Sequence, residues 1–297
     1  MEQLGAAIVT GLIFGSAYAL IALGIVLVYK GSRVFNFAQG EVATVAAFTT
    51  LMLLDNMPYV FALLVGVLAG VFMGLAMEVT IVRALFNAPR VTLLVATAGV
   101  ALGAISLELL FGDAQPRFYP RLIDGVAFQA FGVVVSWQQF LVVGALAGLG
   151  FLLYVFFSRT DLGLAVLAAS QDPTATNLVG VSSRRISSLV WGMAAFLAAV
   201  AGVLVAPDAS GSFTPGYFTS QFLIFSFVAA VVGGMTSLPG AVLGGLALGL
   251  VQSFTTEFIA DLNWVRDNLP GSAQVSVFLL LVIVLAVRPT GLLGKEA

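Results

Sequence analysis

LGAAIVTGLIFGSAYALIALGIVLVY, residues 4–29, is a run of 26 residues without a charge. About 20 apolar residues in a helix cross the ~30 Å of hydrocarbon in a bilayer. A secretory signal has a shorter apolar region behind a basic start, whereas Glu2 precedes this run. The stretch is therefore read as a retained membrane span. The rest of the chain has the same character: 297 residues, 60% hydrophobic, 9% charged, with mean hydropathy +1.10. A soluble domain carries about 25% charged residues, so this chain cannot cover a water-facing surface of its size. The expected fold is all-α: a polytopic membrane helix bundle of about eight to nine segments, forming one transmembrane domain over 1–297. Ordinary soluble enzymes and disordered chains are excluded. So is nucleic-acid binding, because Lys and Arg number 12 against 14 Asp and Glu and provide no basic stripe for phosphates. The chain has no Cys and no His. It thus lacks thiolate metal sites, a Cys nucleophile and the commonest general base. No metal site, bound cofactor or catalytic residue is expected.

Charges, prolines and polar clusters divide the chain into apolar segments 4–29, 41–54, 59–82, 91–111, 133–157, 186–207, 219–235, 238–257 and 271–287. The short 41–54 segment is either a protein-covered crossing or a re-entrant piece. Pro58 would let it form a tight hairpin with 59–82. With loop 158–185 and the C-terminus inside, nine basic residues fall inside: Lys30, Arg33, Arg83, Arg90, Arg159, Arg184, Arg185, Arg288 and Lys295. Three fall outside, Arg117, Arg121 and Arg266. Without a crossing at 41–54 the split is seven to five, so the positive-inside rule favours nine crossings with the N-terminus out and the C-terminus in. The outer loops then carry Asp55, Asp113, Asp124, Asp208, Asp261 and Asp267. Glycines recur at helical spacing: Gly66, Gly70 and Gly74; Gly99 and Gly103; Gly144 and Gly148; Gly240 and Gly244; Gly245 and Gly249. Such spacing either serves close helix packing or lines a path with thin helices. No period of 20–50 residues and no inverted repeat is visible.

Four polar features interrupt this pattern. In Asn36-Phe37-Ala38-Gln39-Gly40-Glu41, Asn36 can cap a helix start and Glu41 would lie in its first turn. The element is either a capped surface turn or a broken helix whose polar groups face a cavity. In loop 158–185, Asp161 can cap a helix through 162–170. Asp172 and Pro173 then form an N-cap and first helical position, Leu178 and Val179 an apolar side, and Gly180 a C-terminal turn. With only Arg159, Arg184 and Arg185 flanking it, the loop lacks a basic lipid-binding face, which favours docking on a soluble partner over lying on lipid. Residues 232–241 form a Gly/Pro turn, and the chain has no Gly-Lys-Ser/Thr that would mark a phosphate-binding loop. Glu78 and Glu108 fall inside spans. Glu78 has Arg83 one turn on, and no His or buried Lys offers a relay partner.

Gly11-Leu12-Ile13-Phe14-Gly15-Ser16-Ala17-Tyr18-Ala19-Leu20-Ile21-Ala22-Leu23-Gly24, then Asn36 to Glu41, resembles the opening of the branched-chain amino acid ABC transporter permeases of the LivH type. The 158–185 loop resembles that family's ATPase-coupling segment. Gly233-Gly234 through Gly240-Ala241, then Gly244-Gly245, is similar to its Gly-rich run. Arg288-Pro289-Thr290-Gly291-Leu292-Leu293-Gly294 matches its C-terminal signature. The chain departs at Gln39, where the family often has His, and at Thr236, where it often has Gly. The resemblance implies a multi-pass permease of the bacterial inner membrane. It implies as partners a second homologous permease subunit, two ATP-binding subunits that use the ATP, a periplasmic or lipid-anchored solute-binding protein and membrane lipid. Substrate-pathway residues would then be Asn36, Phe37, Gln39 and Glu41. ATPase coupling would fall to Asp161, Asp172, Pro173, Leu178, Val179 and Gly180. The motifs leave the solute open among branched-chain amino acids, urea, amides and aromatic acids. A self-sufficient secondary transporter or channel is the alternative.

Overall fold

The computed structural model describes residues 2–86, 88–112, 114–178, 180–209, 212–260, 262, 264, 265, 269 and 271–294. Val179, Asp113, Asp261, Arg266, Asp267 and Lys295, named above, lie outside them. Helix α1 (Glu2–Ser32) spans 31 residues, roughly 46 Å at 1.5 Å per residue. It is followed by α2 (Gln39–Leu53), α3 (Tyr59–Met77) and α4 (Arg90–Gly112). A hairpin of β1 (Val126–Ala130) and β2 (Val133–Ser136) leads into α5 (Trp137–Arg159), α6 (Asp161–Gln171), α7 (Pro173–Leu178) and α8 (Ser183–Val205). The chain ends with α9 (Tyr217–Gln221), α10 (Leu223–Gly233), α11 (Leu238–Phe254) and α12 (Ser272–Val287). Among the described residues six helices are long and apolar enough to cross a membrane, counting α3, α8 and α11 with their short continuations; α10 and α12 are shorter apolar helices.

The core is the column of α1 between Gly15 and Val28, buried on all sides and packed on α11, α8 and α10. Glycine makes this approach possible. A methyl carbon built on Gly249 would lie 2.2 Å from the Gly11 carbonyl oxygen, and one on Gly245 2.6 Å from the Ala19 Cα. Gly70 and Gly74 likewise meet Ala199 and Ala195 of α8. These stripes are packing devices, as small residues are in lipid, where no hydrophobic force drives helices together. Gly99, Gly103, Gly144 and Gly148 are different: a side chain at any of them would meet nothing within 4 Å.

The hairpin was not expected. Residues 133–136, read as the start of a span, pair with 126–130 instead, and the helix starts at Trp137 behind a Ser136–Gln139 capping box. Phe131 and Gly132 both have positive φ, 51° and 79°, as a two-residue hairpin with right-handed strand twist requires. Phe131 packs on Gly5, so the hairpin covers the end of the bundle where α1 begins.

Two helices continue into π-helical turns. After α3 the turn Glu78–Val82 brings Arg83 five residues on over Glu78: Nε lies 3.0 Å from Oε1, and Ser188 of α8 joins them at 3.1 Å. The expected Glu78–Arg83 pair thus forms, through a wider turn than an α-helix supplies. After α11, Thr255–Ile259 forms the second such turn.

Candidate functional site

Helix α1 ends at Arg33, a non-glycine residue in the left-handed region (φ 56°). Its guanidinium sits 5.7 Å from the Tyr29 ring centre and donates to the Ser170 carbonyl at 3.3 Å, which holds the turn. The chain then folds back into the bundle without regular structure. The Phe37 N–H donates to Thr97 Oγ1 of α4 at 3.2 Å. Asn36 Oδ1 accepts from the Ala38 N–H at 3.0 Å, and its Nδ2 donates to Gln39 Oε1 at 3.0 Å. Asn36 therefore closes a turn two residues wide; it does not cap α2, whose N-cap is Ala38 with no side-chain bond. Gln39 Nε2 donates to the carbonyl of Ala194 at 2.9 Å and lies against Gly24. Ala194 is midway along α8, so α2 starts at mid-depth of the bundle. The segment is thus an interrupted helix buried in the bundle and not a capped surface turn, and its polar groups meet protein atoms. Buried backbone outside a helix needs such side-chain partners.

A second break faces the first. The segment read as one span over 219–235 is two helices, α9 and α10. It is preceded by Gly216 at φ 72° and by Phe213, bridged to Arg117. The two breaks touch. Gly40 meets Thr219 backbone, the Phe218 N–H donates to Thr44 Oγ1 at 3.2 Å, and Thr219 Oγ1 donates to Glu41 Oε2 at 2.7 Å. Glu108 of α4 joins the same turn, accepting from the Gly216 N–H at 3.0 Å. Phe37 stacks on Phe227 of α10, centroids 4.9 Å apart. Asn36, Phe37, Gln39 and Glu41 are thus gathered at one place, together with Thr44, Thr97, Glu108, Ala194, Gly216 and Thr219. The signal for the second break was present in Pro215-Gly216, in the polar run 207–221 just before the segment read as a span.

The 158–185 loop forms the other cluster. Thr160 is the N-cap of α6, accepting from the Gly163 N–H at 3.0 Å; Asp161 is the first helical residue and not the cap. The second helix matches the expected start: Asp172 Oδ1 accepts from the Ala175 N–H at 2.9 Å. Gly180 follows at φ 90°. Helix α6 buries Gly163, Val166 and Ala169 against the bundle and leaves Leu162 and Leu164 exposed. Leu178 at the end of α7 is 84% exposed.

Residues 7–287 match the family described as branched-chain amino acid transport system, permease component. The chain belongs to this permease family. It is 34% identical over 304 residues to the high-affinity branched-chain amino acid permease protein BraD of Pseudomonas aeruginosa, covering 97% of this chain and 95% of that one. It is 30% identical over 302 residues to LivH of Escherichia coli, covering 96% and 94%. The probable LivH of Methanocaldococcus jannaschii is 29% identical, with 96% and 91% covered. A chain of the PsaBC–Fab complex from Streptococcus pneumoniae shares the fold, with TM-score 0.51 at 15% identity over 96% of this chain and 91% of that chain. The family is one of transport permeases, not of enzymes, and the permease is a multi-pass membrane protein.

In this permease two of the motifs that carried the resemblance meet, although they are far apart in sequence. The N–H groups of Leu292 and Leu293 donate to the carbonyls of Val232 and Gly233 at 2.8 and 3.0 Å. Gly291 (φ 81°) and Gly234 (φ 104°) lie back to back there. The C-terminal signature locks the Gly-rich turn between α10 and α11.

Proposed function

We propose that this permease is the membrane subunit of an ATP-binding-cassette importer for branched-chain amino acids. It would pair with a second, related permease, two ATP-binding subunits and a periplasmic or lipid-anchored solute-binding protein. No cofactor is bound by this chain; ATP is used by the partners. The observation that carries the reading is loop 158–185, folded as two capped helices that hold Leu162, Leu164 and Leu178 out from the bundle. Exposed apolar side chains on a pair of capped helices suit a groove on a soluble partner. ATP binding would close the partner dimer, α6 and α7 would move with it, and α6 would pass the motion to α1, α5 and α8, on which it packs. Co-purification followed by ATP-dependent uptake of leucine, isoleucine, valine, urea, amides and aromatic acids tests the function and its substrate together.

The proposed orientation puts the loop and the C-terminus in the cytoplasm, the N-terminus outside, with nine crossings. Lys30, Arg33, Arg83, Arg90, Arg159, Arg184, Arg185 and Arg288 lie at or next to helix ends, and the positive-inside rule favours such residues in the cytoplasm. Reporters after Ala297 and near Asp172 should read cytoplasmic, and one near Asp124 external. An external C-terminus would overturn the orientation.

The breaks at 33–38 and 212–222 lie near the pathway in this reading, because unwound backbone at depth is tolerated where it lines a cavity or contacts protein. Asn36→Ala removes one acceptor and one donor from a fully buried amide network, worth about 1–3 kcal/mol. Glu41→Gln keeps the shape and alters the charge. Both variants should assemble at near-normal abundance and lose most uptake. Normal uptake at normal abundance would reduce the segment to a structural turn.

A further inference from the structure

A long cavity of about 1180 Å³ runs between α1, α5, α6 and α11. Leu12 and Lys30 of α1 both line it, 18 positions apart, so its length is roughly 27 Å at 1.5 Å per residue. Most of the wall is carbon: Leu146, Gly150, Phe151, Leu243 and Leu246 line it from α5 and α11. Phe151 and Leu243 are exposed, so the cavity opens on the outside of the bundle. One end differs, where α5 finishes and α6 packs. Lys30 and Arg33, both half-buried, line it there. Lys30 Nζ lies 5.6 Å from the ring centre of Phe157. The Arg33 guanidinium has five N–H donors and gives one to the Ser170 carbonyl. Helix α11 begins beside them at Leu238 and adds the partial positive charge of a helix N-terminus. Among the described residues no Asp or Glu lines the cavity. Lys30 is also the first charge after the uncharged run 4–29, which sets this end at the edge of the hydrocarbon.

We propose that this is a binding site for an anionic phospholipid, with the phosphate on Lys30 and Arg33 and an acyl chain laid along α1 between α5 and α11. The two parts of the cavity ask for two chemistries in one molecule: negative charge at the head and hydrocarbon along the tail. Basic pockets between membrane helices select anionic head groups in this way. A free phosphate would use the charged end alone and leave the apolar wall uncovered. A small solute suits the place poorly, because such ligands typically fill 300–1,000 Å³ and this cavity is larger. Leu167, Ser170 and Gln171 of α6 form the wall beside the head group, so the lipid ties α6 to α1, α5 and α11. The inference goes beyond the transport reading and does not depend on it.

Native mass spectrometry of the full chain in mild detergent tests this. The probes are phosphatidylglycerol, phosphatidylcholine with the same acyl chains, and sodium phosphate as competitor. Phosphatidylglycerol should bind about tenfold more tightly than phosphatidylcholine or better, the scale of two basic residues at an anionic lipid surface, and phosphate should not displace it. Lys30→Gln and Arg33→Gln should each lower that preference about fivefold, the scale of one such residue. Gly150→Leu puts carbon into the cavity from a position where a β-carbon meets nothing within 4 Å, and should weaken phosphatidylglycerol about tenfold. Gly148→Leu is the same change on the same helix, also in open space but off the cavity wall, and should bind as the wild type does. The preference is a ratio of two lipids on one protein, so the charge variants decide the matter if Gly150→Leu fails to fold. Equal affinity for the two lipids, displacement by phosphate, or wild-type behaviour in all three damaging variants would overturn the site. So would a dimer that Gly150→Leu dissociates, since a second copy of the chain would then be the occupant.

Discussion

Leu178→Asp is expected to leave the permease in the membrane and strip it of its ATP-binding partners. Leu178 is 84% exposed, so the change costs the isolated fold almost nothing. Docked in a groove, the same carboxylate must be desolvated without a partner, at a few kcal/mol, or about 10²-fold in affinity or more. Gly180→Pro should give the same phenotype by another route. Gly180 has φ 90° and its N–H donates to the Asn177 carbonyl at 3.1 Å. Proline removes that donor and fixes φ near −65°. Asn177 Oδ1 also accepts from the Ser183 N–H at 3.0 Å, so distortion here loosens the start of α8 as well. Leu178→Met, apolar and of similar volume, should retain the partners. Pull-down and uptake check all three. Full partner retention with wild-type uptake in both damaging variants would make the loop an interfacial helix lying on lipid.

Gly249→Val should be the most damaging substitution within the spans. A β-carbon there would stand 2.2 Å from the Gly11 carbonyl oxygen and 2.3 Å from the Gly15 backbone nitrogen. Backbone cannot rotate away as a side chain can, and α1 is held from behind by α8 and α10. The cost should exceed the ~1–3 kcal/mol of ordinary overpacking, with Gly249→Ala falling between. Gly148→Val is the matched control: the same substitution on a helix face where nothing lies within 4 Å should leave the melting temperature of the detergent-solubilised chain near wild type. If Gly249→Val melts with the wild type, the α1–α11 contact is not backbone to backbone.

These glycines show how far the residues could be read alone. Their spacing is the same in all stripes, but Gly245 and Gly249 lie against another backbone while Gly144 and Gly148 face open space. Periodicity says which face is thin; which helix comes to meet it depends on every other helix. Glu78 and Arg83 were legible as a pair because the partner is local. Glu41 and Glu108 were not, since 67 positions separate them in the sequence and the turn both grip begins a further 108 positions along the chain.

The sequence by itself determined the solvent and therefore the class of fold. With so little charge and so many long apolar runs, only helices that satisfy their own backbone bonds can be stable, and their ends are marked locally by charge, proline and capping residues. It also determined the start of α7 at Asp172, because a cap acts within three residues. Tertiary structure alone decided that Gly245 and Gly249 meet the backbone of α1 while Gly144 and Gly148 face open space, and that two interrupted helices meet at Gly40 and Thr219. Each of these is a choice between groups that are chemically able to do the same thing. Such choices are made by distance in space, through contacts whose partners are remote in the chain.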